Sequence, residues 1–125
     1  MSNDPYSTRV RELFDAPAHA GSLDTALSAN VEDQGLRIHL FAELGDGEIR
    51  ALRFQAWGCP HVIAAAEDFC ARYEHLPAAD LLEFSAADLM QSLAVPVEKT
   101  GRILVLEDVV RSLGSIVRDA SNPDD

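Results

Sequence analysis

The sequence is short of cysteines and of basic residues, and both shortages narrow the range of possible functions. Its two cysteines, Cys59 and Cys70, are too few for a disulfide framework, and their separation matches no standard zinc spacing. Ten Lys and Arg residues stand against 21 Asp and Glu residues, which gives a formal net charge of −11. Contacts with phosphates require a basic face, so nucleic acid and anionic membranes are excluded as expected partners. A basic protein surface fits this charge better.

Long apolar runs and a secretory leader pattern are also missing. The apolar stretches are far shorter than the roughly 20 residues of a membrane span. The first five residues contain neither a basic nor an apolar region. We therefore expect a cytoplasmic protein with reduced thiols. At 125 residues and 47% hydrophobic content it should form one domain over residues 1–125, with a frayed acidic tail at about 120–125.

The hydrophobic periodicity predicts an α+β fold. Apolar residues alternate over 36–44 and again over 48–57, and Gly45, Asp46 and Gly47 between these runs indicate a hairpin turn. A weaker alternation over 27–31 adds a third strand. Helical spacing predicts an N-terminal helix with an apolar stripe at Val10, Leu13 and Phe14, a helix from Pro60, short helices after Pro77 and Ser85, and a long C-terminal helix. This order of elements favours a three-stranded antiparallel sheet with helices packed on one face.

The junction from the third strand to the next helix is the most informative stretch. Gly58 ends the strand, Cys59 follows, and Pro60 opens the helix. A thiol at this point lies near the positive end of a helix dipole and near free backbone N–H groups, which favour a thiolate. The alternative is a small buried residue in a tight turn. Cys70 falls on the apolar side of the same helix, where a cysteine serves as a small core residue.

Several local strings follow one another in a specific order. They are Pro17 to Gly21 after the first helix, 47–54 leading to Gly58 and Cys59, the Ile-Ala-rich stretch 63–66, the segment from Leu93 to Lys99, and Glu107-Asp108. In this order they resemble the IscU/NifU-type iron–sulfur cluster assembly scaffolds over essentially the whole chain. The resemblance implies an IscU/SufE-like fold, a cysteine desulfurase as partner, an Hsp70-type chaperone that recognises the segment from Leu93 to Lys99, and iron, zinc or a 2Fe–2S cluster as cofactor.

The departures from this family pattern concern the cluster ligands. The family presents three cysteines, with an aspartate two residues after the first. Here the first position falls near Glu32 and Asp33, the third falls at or beside Arg102, and only Cys59 is retained. An iron–sulfur cluster normally takes four cysteines, so we expect no stably bound cluster. Cys59, Asp33 and His61 are the candidate metal ligands, although a histidine in a first helical turn is more often solvated.

With a single exposed cysteine on this fold, the chain is similar to the SufE-type sulfur acceptors. This similarity implies that Cys59 accepts a persulfide sulfur from a cysteine desulfurase, as a carrier rather than an enzyme. Arg102 at the third-cysteine position would stabilise the Cys59 thiolate, unless it pairs with Glu98 or Glu107 instead. The pattern leaves open whether Trp57 lies in the core or beside the Cys59 loop.

Three other functions stay open. The chain could be a pseudo-scaffold, an adaptor that binds a desulfurase or a client protein without sulfur chemistry. It could bind iron, zinc or a bridged cluster with ligands from a partner. It could also be a generic acidic interaction domain. Transfer of labelled sulfur to Cys59 separates the carrier from the adaptor.

Overall fold

A computed structural model of the chain describes residues 8–15, 17–24, 27–33, 35–93 and 95–121. It contains one antiparallel sheet with strand order β1-β2-β3, made of β1 (Leu27–Asp33), β2 (Leu36–Gly45) and β3 (Glu48–Trp57). The helices are α1 (Thr8–Asp15), α2 (Pro60–Tyr73), α3 (Ala86–Ser92) and α4 (Thr100–Ser121), with two 3-10 helices at Ala78–Glu83 and Val97–Lys99. The α+β fold predicted from periodicity is confirmed.

The alternation in the strands separates a helix-covered face of the sheet from an outer face. Leu36, Ile38 and Leu40 of β2 are all buried, and they lie on the face that packs against the helices. The β2–β3 hairpin closes through Asp46 and Gly47, whose φ angles of 55° and 81° suit the tight turn expected from these residue types. The sheet therefore follows directly from its hydrophobic pattern.

The helix ends also follow local chemistry. Ser85 caps α3, and its hydroxyl accepts a hydrogen bond from the Ala87 N–H at 3.3 Å, as predicted. The apolar stripe predicted for α1 is wrong at one position, because Phe14 is 42% exposed whereas Val10 and Leu13 are buried. An eight-residue helix turns only part of its surface toward α2, and Phe14 lies beside that contact.

Some features predicted at the two ends of the chain lie partly or wholly outside the described residues. By sequence, Asp4 followed by Pro5 is a typical start for the N-terminal helix, but both residues lie outside the described part of the chain, as do residues 122–125 of the predicted tail. Helix α4 continues to Ser121, and the fraying of the tail stays a prediction. None of the described helices combines the length and the apolar character needed to cross a bilayer.

Backbone from two other parts of the chain covers the outer edge of β3. The Phe54 N–H donates to the His19 carbonyl at 3.0 Å, and the Gly21 N–H donates to the Phe54 carbonyl at 2.8 Å. Near the start of β3, the Ile49 N–H donates to the Leu76 carbonyl at 2.9 Å. These contacts satisfy strand groups that would otherwise invite pairing with another chain.

A charged cluster holds this edge cover against α2. His19 Nδ1 lies 2.5 Å from Glu67 Oε2, and His19 Nε2 lies 3.4 Å from Glu74 Oε1. Glu74 Oε2 accepts hydrogen bonds from the Leu52 N–H at 2.8 Å and from Arg53 at 3.0 Å. Burial alone would raise the pKa of Glu74, but the Leu52 hydrogen bond, His19 and Arg53 together lower it below its ordinary value of 4.5.

We expect Glu74→Gln to destabilise the protein by about 1–3 kcal/mol at pH 7, because the amide loses the charge that strengthens these hydrogen bonds. A carboxylate with a lowered pKa in the folded state stabilises the fold above its unfolded pKa and loses that effect as the pH falls through its folded pKa. The difference between parent and variant should therefore shrink below pH 4.5. Urea unfolding at several pH values measures this difference in stability.

Glu43→Gln, at an exposed site of β2, is the matched control. Equal stability of parent and Glu74→Gln at pH 7 would contradict this role for the cluster.

Candidate functional site

Gly58 makes the tight turn that carries the chain from β3 into α2. Its φ angle is +125°, a conformation that side-chain-bearing residues rarely adopt. A Cβ atom at this position would lie 2.6 Å from Leu36 Cδ2 and 3.2 Å from the Gly35 carbonyl oxygen. The turn before Cys59 therefore packs directly against the β1–β2 turn. Glycine is required at position 58 because there is no room for a Cβ atom and because the φ angle is positive.

Cys59 is the N-cap of α2. Its backbone is extended, with φ −123° and ψ 129°, and its carbonyl accepts hydrogen bonds from the N–H groups of Val62 and Ile63, each at 3.0 Å. The Cys59 side chain makes no capping hydrogen bond to the helix backbone. The thiol therefore stands at the positive end of the helix dipole, the position predicted from the Gly58-Cys59-Pro60 sequence.

The expectation that Cys59 is exposed is wrong, because only 3% of the residue is accessible to solvent. The close packing at Gly58 folds the residue that follows it against the core instead of projecting it outward. His61 is buried as well, at 2% exposure, and its Nδ1 lies 4.0 Å from Cys59 Sγ. The solvated position expected for His61 is therefore wrong, and the imidazole lies where it can exchange a proton with the thiol.

Cys70 has the opposite environment. It is fully buried, and burial raises its pKa well above the ordinary value of 9.0, with further increases from the carboxylates of Glu67 and Glu74. These effects keep the thiol protonated and unreactive. The prediction that Cys70 is a core residue is confirmed.

The candidate metal ligands do not form a metal site. Asp33 is exposed at the end of β1, beside the turn against which Gly58 packs, so it lies at the same end of the sheet as Cys59 and His61. Among the described residues, however, no group of three or more His, Cys, Asp and Glu side chains is placed to hold a metal ion. With Cys70 buried elsewhere in α2, the donor set does not fit an iron–sulfur cluster held by this chain alone.

Trp57 is exposed, which answers the question left open by the sequence. Half of it, 51%, is accessible on the outer face of the sheet. The Arg37 guanidinium lies 5.7 Å from the centre of its ring and also pairs with Glu32 at 3.1 Å. The Glu32 carboxylate is therefore paired with Arg37 on the outer face of the sheet. Trp57 presents a large aromatic surface two residues before Cys59.

Arg102 is half-buried in the first turn of α4. Within the described part of the chain its side chain makes no hydrogen bond or ion pair, either with Cys59 or with Glu107. The Glu107 carboxylate instead accepts a hydrogen bond from the Ala86 N–H at 2.8 Å. The alternative pairing of Arg102 with Glu107 is therefore absent, and the side chain of Glu98 lies outside the described residues.

The cluster around His19 is not predicted by the sequence patterns. One signal was available, because Glu67 in α2 and Glu74 just after its end are spaced by seven residues, with Cys70 between them at helical spacing. Nothing in the local sequence, however, shows that His19 reaches this face. In the segment from Leu93 to Lys99, Val97 is 84% exposed, and recognition of this segment by a chaperone stays a prediction.

Comparison with known proteins agrees with this architecture. Residues 5–113 match the family described as the NifU-like N-terminal domain. No curated protein matches the sequence.

Three solved structures share the fold. A candidate iron–sulfur cluster assembly scaffold for the SUF system of Fervidobacterium islandicum AW-1 is 14% identical, with a TM-score of 0.59 over 84% of this chain and 81% of that one. A nitrogen-fixing NifU-like protein (N-terminal) from Brucella abortus is 19% identical, with a TM-score of 0.56 over 92% and 82%. A hypothetical protein is 17% identical, with a TM-score of 0.57 over 85% and 84%. At these identities the structures support the fold alone. Because the family match covers most of the sequence, this chain belongs to the NifU-like N-terminal domain family of iron–sulfur cluster assembly scaffolds.

Proposed function

We propose that the chain is a sulfur carrier in iron–sulfur cluster assembly, and that Cys59 accepts a persulfide sulfur from a cysteine desulfurase. The observation that carries this proposal is the position of the thiol, at the N-terminus of α2 with His61 Nδ1 at 4.0 Å. The other thiol, Cys70, is kept protonated in the core. One cysteine of the chain therefore has the surroundings of a nucleophile and the other does not.

The transfer is a thiol–disulfide type of exchange. The thiol proton of Cys59 passes to His61, and the thiolate attacks the terminal sulfur of the donor persulfide. A new sulfur–sulfur bond forms on Cys59 while the donor's sulfur–sulfur bond breaks, and the donor cysteine leaves as a thiolate that takes up the proton. No net oxidation or reduction occurs. The acceptor must start as a reduced thiol. A carrier of this kind therefore works in a reducing compartment such as the cytoplasm.

The topology supports a role for Arg102 as a positioning residue that stabilises the thiolate. The C-terminal half of α4, at Gly114 and Val117, lines a cavity together with Gly47 of the β2–β3 turn. That turn and Cys59 lie at opposite ends of the ten-residue strand β3. Helix α4 has 22 residues and a length of about 33 Å, so its beginning at Arg102 lies toward the Cys59 end of the sheet.

The adaptor function is the second candidate, and one observation favours it. Cys59 is only 3% exposed, so a protein that binds a desulfurase without reacting needs no change in this structure. Sulfur transfer, in contrast, requires the Cys59 loop to open when the donor binds. The two functions differ in whether sulfur arrives on Cys59.

Incubation with a cysteine desulfurase and free cysteine, followed by intact mass measurement, separates these functions. The carrier should gain the mass of one sulfur atom, and Cys70→Ser should gain it equally. Cys59→Ser should gain none. A parent protein that binds the desulfurase but never gains sulfur would contradict the carrier and support the adaptor.

Substitution of Arg102 tests its proposed role through the pH dependence of Cys59 alkylation in the Cys70→Ser background. Arg102→Ala should move the half-maximal rate to higher pH, because a neighbouring cation favours the thiolate. Arg102→Lys keeps the charge and should restore much of the parent profile. Arg50→Ala, at an exposed arginine near the opposite end of β3, is the control. Superimposable profiles for parent and Arg102→Ala would show that Arg102 does not act on Cys59.

A further inference from the structure

The outer edge of β3 is left open just before the Cys59 turn. The covering segment pairs with Phe54 through Gly21, and Gly21 then turns the chain away with a φ angle of +142°. In an antiparallel strand the groups that point off one edge recur at every second residue, so Ala56 is the next residue to face outward after Phe54. No group in the described part of the chain makes a backbone hydrogen bond to Ala56 on this side.

A groove of about 500 Å³ runs along this open edge. Its lining includes Phe14, Gly21, Phe54, Ala56, Trp57 and Ile63. Phe14 and Trp57 are 42% and 51% exposed, and none of the lining residues is charged. We name this site the β3-edge groove. It combines unpaired strand groups with exposed aromatic side chains, the two features by which an extended peptide is bound at a sheet edge.

The β3-edge groove lies beside Cys59. Ala56 is three residues before it, within about 10 Å along an extended chain. Ile63, on the other side of the groove, donates its N–H to the Cys59 carbonyl at 3.0 Å. A chain bound in the groove would therefore contact both elements that hold the Cys59 turn in its closed, buried position.

We propose that the β3-edge groove docks an extended segment of the sulfur donor, which pairs with Ala56 and places an apolar side chain between Phe14 and Trp57. The chain's own residues already show this geometry, because His19 to Gly21 occupy the preceding part of the same edge in parallel pairing. The net charge of −11 favours basic residues on either side of the docked segment. The identity of the donor rests on the proposed function, whereas the docking geometry rests on the groove.

Ala56→Pro tests the strand pairing directly. Proline removes the outward N–H but leaves the β2–β3 ladder intact, and edge strands tolerate it. Ser28→Pro is the matched control, since Ser28 faces off the opposite edge of the sheet, on β1. Calorimetric titration with a cysteine desulfurase should show a dissociation constant about ten-fold higher for Ala56→Pro, the effect of one lost hydrogen bond, and an unchanged value for Ser28→Pro.

A second pair of variants avoids any change to the backbone. Phe14→Ala should also weaken desulfurase binding, by about three- to ten-fold, because it removes one aromatic wall of the groove. Leu104→Ala is its control, since Leu104 has the same 42% exposure on α4 and does not line the groove. Circular dichroism verifies that each variant is folded.

The outcomes separate the docking proposal from the proposed function. Unchanged affinity for Ala56→Pro and Phe14→Ala, or a parent that does not bind the desulfurase at all, would overturn the docking. Weaker binding confined to these two variants would support it, whether or not sulfur reaches Cys59. Cys59→Ser should bind as tightly as the parent, and if the parent binds in this groove without gaining sulfur, the carrier function fails while the docking stands.

Discussion

The contact between Gly58 and the β1–β2 turn is the constraint on which the candidate site depends. With φ at +125° and no Cβ, Gly58 lets β3 end against Gly35 and Leu36 and lets α2 begin two residues later. That geometry makes Cys59 the N-cap of α2 and turns its thiol toward His61 rather than toward solvent. The same contact therefore sets the electrostatic environment of the thiol and its burial.

The two cysteines show how one helix creates opposite environments for the same chemical group. Cys59 is the N-cap of α2, and its Sγ lies 4.0 Å from His61 Nδ1. Cys70, farther along α2, has a pKa raised above its ordinary value mainly by burial and further by the carboxylates of Glu67 and Glu74. Those two carboxylates also hold His19 and the edge cover of β3. The charges that hold the edge cover thus add to the burial that keeps the second thiol protonated.

Local patterns in the sequence predicted the strands, the helices and the Gly58-Cys59 junction, because alternation, capping and turn chemistry act over a few residues. The burial of Cys59 and His61 could not be predicted in this way, since it depends on contact with Gly35 and Leu36, more than 20 residues earlier in the chain. The exposure of Phe14 and the partners of His19 depend on tertiary packing for the same reason. The family resemblance added the expected chemistry of Cys59 but did not predict its burial.

The most direct measurement is the rate at which sulfur appears on Cys59 in a single turnover with a cysteine desulfurase, compared between Gly58→Ala and Gly47→Ala. Both glycines have positive φ angles, but an added Cβ meets nothing within 4 Å at Gly47 and meets Leu36 at 2.6 Å at Gly58. If the Gly58 contact positions the acceptor thiol, Gly58→Ala should slow transfer by about ten-fold or more while remaining folded, and Gly47→Ala should match the parent. Equal transfer rates in the two variants would contradict the account.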